Sequence, residues 1–81
     1  GESISPDRLR KIEKIISSNK NVSTLLNIKV IPIGSKQYLA LVMLDYKDFL
    51  EDKEIVEINK IIKNKIKEIE STISEIYFNP Q

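Results

Sequence analysis

The stretch that most constrains this 81-residue chain is Tyr38-Leu39-Ala40-Leu41-Val42-Met43-Leu44, an apolar run followed by one long helical pattern. Side chains alternate between the two faces of a strand, so a strand that is apolar at every position is expected to be covered on both faces. It is therefore expected at the centre of a sheet. Before it, residues 24–31 carry Leu26, Ile28 and Val30 on one side and Asn27 and Lys29 on the other, the alternation of a half-buried strand. Between the two, Pro32 is expected to end the first ladder and Gly34 to supply a positive φ, giving an antiparallel hairpin.

Two helical patterns flank the hairpin. Ser5-Pro6-Asp7 is a helix start, with Ser5 free to accept from a backbone N–H, Pro6 fitting the first helical position and Asp7 facing the positive end of the dipole. The helix is expected over 6–18, burying Leu9, Ile12, Ile15 and Ile16. Residues 17–21, Ser-Ser-Asn-Lys-Asn, stop it. After the apolar run, Asp48 and Glu51 have the spacing of a capping box at the head of a helix that reaches about residue 70. Its stripe is Ile55, Ile58, Ile62, Ile66 and Ile69, widened by Val56 and Ile61. Residues 73–78 read as a third strand, closed by Asn79-Pro80.

The order α-β-β-α-β fixes most of an architecture. A β-α-β unit makes its two strands parallel, so the third strand joins the second and leaves the second central in a mixed three-stranded sheet. Both helices then lie on one face. Either Tyr38/Ala40/Val42/Leu44 or Leu39/Leu41/Met43 must point away from them, and an uncovered apolar patch of that kind marks an interaction surface. Self-association through or beside that face is expected. Residues 1–5, which start Gly1-Glu2-Ser3-Ile4 without Met, are expected to be a cloning or protease scar and linker, and 6–81 the domain.

The residue inventory removes most chemistry. With no Cys and no His the chain has no disulfide, thiolate or imidazole, and none of the usual zinc ligand sets. Gly34 is the only glycine beyond Gly1, so there is no glycine-rich phosphate cradle. Enzymatic activity is not expected. Nucleic-acid binding is not expected either, because the net charge is +1 and Tyr38, Tyr46 and Tyr77 are not set in an Arg/Lys-rich groove. The cations Arg8, Arg10, Lys11 and Lys14 read as a solvated helix face, with anionic lipid as a second reading. The acids Asp45, Asp48, Glu51, Asp52, Glu54 and Glu57 have the oxygen chemistry of a hard-cation site, but at the start of a helix they first complement the dipole. A weak, non-specific cation site is the most they promise. No apolar run approaches the ~18–20 residues of a membrane span, so the piece is expected to be soluble.

The order and spacing of these elements resemble the C-terminal cytoplasmic domain of cation diffusion facilitator transporters, which export zinc and related divalent ions. The resemblance is carried by Ile28-Lys29-Val30-Ile31-Pro32-Ile33-Gly34, by Tyr38-Leu39-Ala40-Leu41-Val42, by Phe49-Leu50 at the head of the long helix and by Ile76-Tyr77-Phe78-Asn79-Pro80. It implies an α+β, metallochaperone-like (ferredoxin-like) open sandwich that follows a six-helix transmembrane part. It further implies a homodimer at the cytoplasmic face of the membrane, with regulation of transport as its role. Positions where the family often places metal ligands correspond to Leu26 or Asn27, Val56, Tyr77 and Asn79. Leu26 and Val56 cannot ligate, while Asn27, Tyr77 and Asn79 offer weak oxygens. The resemblance therefore implies a dimerisation domain of a zinc-type efflux transporter without a metal, cofactor or catalytic site of its own, the divalent cation being cargo of the full-length protein. The alternative is a free-standing ferredoxin-like protein-interaction module with no transport role.

Overall fold

In the computed structural model, which describes residues 3–81, five elements follow one another: α1 (Pro6–Ser17), β1 (Val22–Gly34), β2 (Gln37–Tyr46), α2 (Asp52–Ile69) and β3 (Ile73–Phe78). The reading of Gly1 as a scar falls outside the described residues. The sheet order is β1-β2-β3, with β1 antiparallel and β3 parallel to β2. This is the expected mixed α+β sheet with the apolar strand in the middle. Tyr38, Ala40, Val42 and Leu44 are buried beneath the helices, and Leu39, Leu41 and Met43 form the half-exposed opposite face.

The helices follow from their sequence signals. The Ser5 hydroxyl accepts from the Arg8 N–H at 3.3 Å, Pro6 opens α1, and Ile12 and Ile16 are fully buried. Ile4 joins the core just ahead of the helix. On α2 the buried row is Ile58, Ile62 and Ile66, with Ile55 half-buried. Ile69, Val56 and Ile61 are exposed, so the stripe is narrower than its sequence suggests. Geometry explains this: at about 3.6 residues per turn Val56 and Ile61 lie roughly 100° or more around the helix from Ile62, and Ile69, though on the buried row, is the last residue of α2.

Three local expectations are corrected. First, β1 does not stop at Ile31 but runs from Val22 to Gly34, with Pro32 paired to Tyr38 inside the ladder. An edge strand has one row of backbone groups facing away from the sheet, so a proline without an N–H is tolerated there. Second, Gly34 has no positive φ; the left-handed residue of the Ser35-Lys36 turn is Lys36, at φ 54°. Third, α2 is capped one turn later than expected, by Glu51, whose N–H donates to the Glu54 carboxylate at 3.1 Å. Asp48 sits instead in a turn where Phe49 takes φ 67°, and this turn brings Leu50 against the core. Asp48/Glu51 and Glu51/Glu54 have identical spacing, and burial of Leu50 selects the second pair.

Replacing Lys36 with Gly removes the steric cost of a left-handed side chain and is expected to raise unfolding free energy by about 1 kcal/mol. A Cβ added at Gly34 meets Gln37 no closer than 3.5 Å. Gly34→Ala is therefore expected to be neutral or stabilising by up to about 0.5 kcal/mol through the unfolded chain. Urea denaturation of the two variants checks the order of these effects.

Candidate functional site

The face of the sheet turned away from the helices is the surface the fold leaves available. Cross-strand partners point to the same side, so the register places Asn27, Lys29 and Ile31 of β1 beside Met43, Leu41 and Leu39 of β2 respectively. On the other side of β2, Tyr77 lies beside Leu41 and Glu75 beside Leu39. The result is an apolar spine, Leu39-Leu41-Met43, with Ile31 next to it and polar groups along both margins. Leu26 is the extra residue of a β-bulge, so that Leu26 and Asn27 together oppose Met43. Leu26 is 58% and Tyr77 50% exposed. The Tyr77 hydroxyl donates to the Glu75 carboxylate at 3.1 Å, and that acceptor raises the Tyr77 pKa.

The residues singled out as weak oxygen donors are dispersed. Asn27 lies on the β1 margin and Tyr77 on the β3 margin, on opposite sides of β2. Asn79 has structural work instead: at φ 48° its N–H donates to the Val42 carbonyl at 2.7 Å and its Oδ1 accepts from the Leu44 N–H at 2.8 Å. This extends the β2–β3 ladder past Phe78 with a side-chain oxygen in place of a backbone one. Val56 lies on the outer side of α2, 66% exposed.

The acidic stretch is not gathered either. Asp45 is the penultimate residue of β2, opposite Thr24, Asp48 is in the turn, Glu51 and Glu54 serve the cap, and Glu51 is 3.7 Å from Lys53. Asp52 and Glu57 occupy other positions around α2. Among the described residues, no group of three Asp or Glu side chains is arranged to hold a cation. The basic patch is partly neutralised from within, with Arg10 paired to Asp7 and Arg8 to Glu70, while Lys11 and Lys14 stay exposed. Of the three tyrosines, Tyr38 is buried and the Tyr46 hydroxyl donates to Asn59 of α2, so only Tyr77 presents its ring on the open face.

One constellation was missed by the sequence reading. Arg8 of α1 grips Glu70 at the end of α2 with both nitrogens of its fork: Nε donates to Oε1 at 2.7 Å and Nη2 to Oε2. Nη2 also donates to Thr72 at 3.0 Å, and the Thr72 hydroxyl donates to Glu70. Glu70 is only 8% exposed, and the Arg8 guanidinium holds its pKa below the ordinary carboxylate value against the effect of burial, with help from Thr72 and Lys11. A signal for this existed in the sequence. A glutamate at a helix C-terminus opposes the dipole, so its presence there asks for a cation partner.

No family model matches the chain, and no curated protein matches it. Among solved structures, the nickel form of a variant of the MamM CTD superposes with a TM-score of 0.80, covering 95% of this chain and 96% of that one at 9% sequence identity. At that identity the likeness is one of fold, and it extends over the whole α-β-β-α-β arrangement.

Asn79→Ala leaves the Leu44 N–H without its acceptor and puts an alanine in a left-handed backbone. It is expected to cost about 1–2 kcal/mol in denaturant unfolding. For Glu70 the sign follows from its lowered folded-state pKa. Its ion pair is fully stabilising above the ordinary value of 4.5 and is lost as pH falls below that through the lower folded-state value. The stability gap between the native protein and Glu70→Gln is therefore expected to be widest above that window and to shrink within it, in unfolding curves measured from pH 6 to pH 3.

Proposed function

We propose that this chain is the cytoplasmic C-terminal domain of a divalent-cation efflux transporter of the cation diffusion facilitator family, acting as its regulatory and dimerisation module. The observation that carries the proposal is the fold likeness to the MamM CTD, a C-terminal domain of that family, over nearly the full length of both chains. The residue-level resemblance at Ile28–Gly34 and Ile76–Pro80 points the same way. No helix of the described residues is long and apolar enough to cross a membrane, so any membrane-spanning helices would lie elsewhere on the natural chain.

The open face supplies a mechanism for such a role. A small domain buries little surface and leaves the Leu39-Leu41-Met43 spine uncovered, so pairing with a second copy removes apolar area from water. In a transporter, two domains that pair at the cytoplasmic face bias the relative positions of the two membrane parts attached to them. Pairing rather than ion capture is the working step in this reading. At the positions where the family often places its ligands, Asn27, Tyr77 and Asn79 offer only neutral amide and phenol oxygens, and the Asn79 oxygen already accepts from the Leu44 N–H. The cargo cation, of the zinc type, is then handled in the membrane part.

The adjacent upstream coding sequence is expected to encode about six apolar spans. Their absence would decide for a free-standing interaction module built on the same fold. Calorimetric titration with Zn²⁺ is expected to show no stoichiometric sub-micromolar binding, and such binding would refute the division of labour between pairing and metal handling.

A further inference from the structure

We infer that two copies of this chain stack open face to open face about a two-fold axis parallel to β2, so that Lys29 of each copy lies against the Tyr77–Glu75 pair of the other. This rests on the dimerisation reading above and specifies its geometry. The argument begins with an asymmetry of the face. Its β1 margin carries a cation, Lys29, and its β3 margin an anion, Glu75, with the apolar spine between them. Both are exposed, and neither takes part in an ion pair among the described residues. Strands are about 4.8 Å apart, which puts the two margins about 10 Å from each other on a single copy.

Stacked sheets keep their strands within about 30° of alignment, at about 10 Å separation. A self-complementary pair of that kind has two ways to form. With the axis across the strands, β1 lies over β1 and β3 over β3. Lys29 then meets Asn27, Lys29 or Ile31 of the second copy, none of them an anion, and Glu75 meets no cation. With the axis along β2, the partner's β1 lies over this copy's β3, level by level. Lys29 of the second copy then sits over the Tyr77 ring, within side-chain reach of the Glu75 carboxylate that the Tyr77 hydroxyl holds in place.

Both arrangements lay the spine of one copy on the spine of the other, so apolar burial does not separate them. The charges do. A cation and an anion brought to a partly desolvated interface without partners oppose association, and the same two groups brought together favour it. Lys29 over Tyr77 adds a cation–π contact, and its methylene stem covers the edge of the apolar strip. The lateral order Lys29, spine, Glu75 is complementary to itself only when the axis runs along β2.

Because each substitution in a two-fold dimer counts twice, Lys29→Glu and Glu75→Lys are each expected to raise the dissociation constant about tenfold in sedimentation equilibrium at low salt, and the double reversal to restore it to within about threefold. Both positions are exposed, and circular dichroism of each variant verifies that it folds. A dimer whose affinity is unchanged by either reversal, or whose affinity the double reversal fails to restore, would overturn the axis while leaving dimerisation intact. A native protein that stays monomeric at millimolar concentration would overturn both.

Discussion

The structure depends on the position of β2. Its backbone is shared between β1 and β3, and its side chains divide into one set sealed under two helices and another left at the opposite surface. Ala40 and Val42 have no exposed surface, while Leu39, Leu41 and Met43 stand one residue away on the other face. A one-residue slip of register would exchange these sets, so the burial of Ile12, Ile16, Ile62 and Ile66 against the sheet also determines what the open face presents. The open face is thus a by-product of packing on the other side of the same strand.

Long-range polar links hold this thin assembly together without disulfides. Arg8 and Glu70, sixty-two positions apart, join the start of α1 to the end of α2. Asn79 fastens the end of β3 to β2, and Tyr46 with Asn59 ties the far end of β2 to α2. Each link sits where a regular element stops and its backbone or side-chain groups lose regular partners. A face held this firmly is suited to transmitting a rigid-body contact, which is what the proposed role in a transporter asks of it.

Helices and strands were legible because their signals are periodic and local. The Ile58, Ile62 and Ile66 row, the Ser5-Pro6 start and the alternation of β1 all report on neighbours within a turn or two along the chain. The turns were less legible. Gly34 and Lys36 compete for the left-handed position, and two acid pairs of equal spacing compete for the α2 cap; propensity does not choose between them. Pro32 was misread because its meaning depends on whether its strand is at the edge of the sheet. The candidate face was legible as an excess of apolar residues on β2. The register that sets Lys29 and Glu75 on its two margins was not.

The sequence by itself determined the element order, the central place of the apolar strand, the class of fold and the loss of thiol and imidazole chemistry, all of which follow from composition and short-range pattern. Only the tertiary structure decided which alternate residues of β2 face outward, that Asn79 is a latch rather than a free oxygen, and that Glu70 is a buried anion gripped by Arg8. The physical reason is distance along the chain. These outcomes depend on groups tens of residues apart, brought together by a competition for burial that no local window contains.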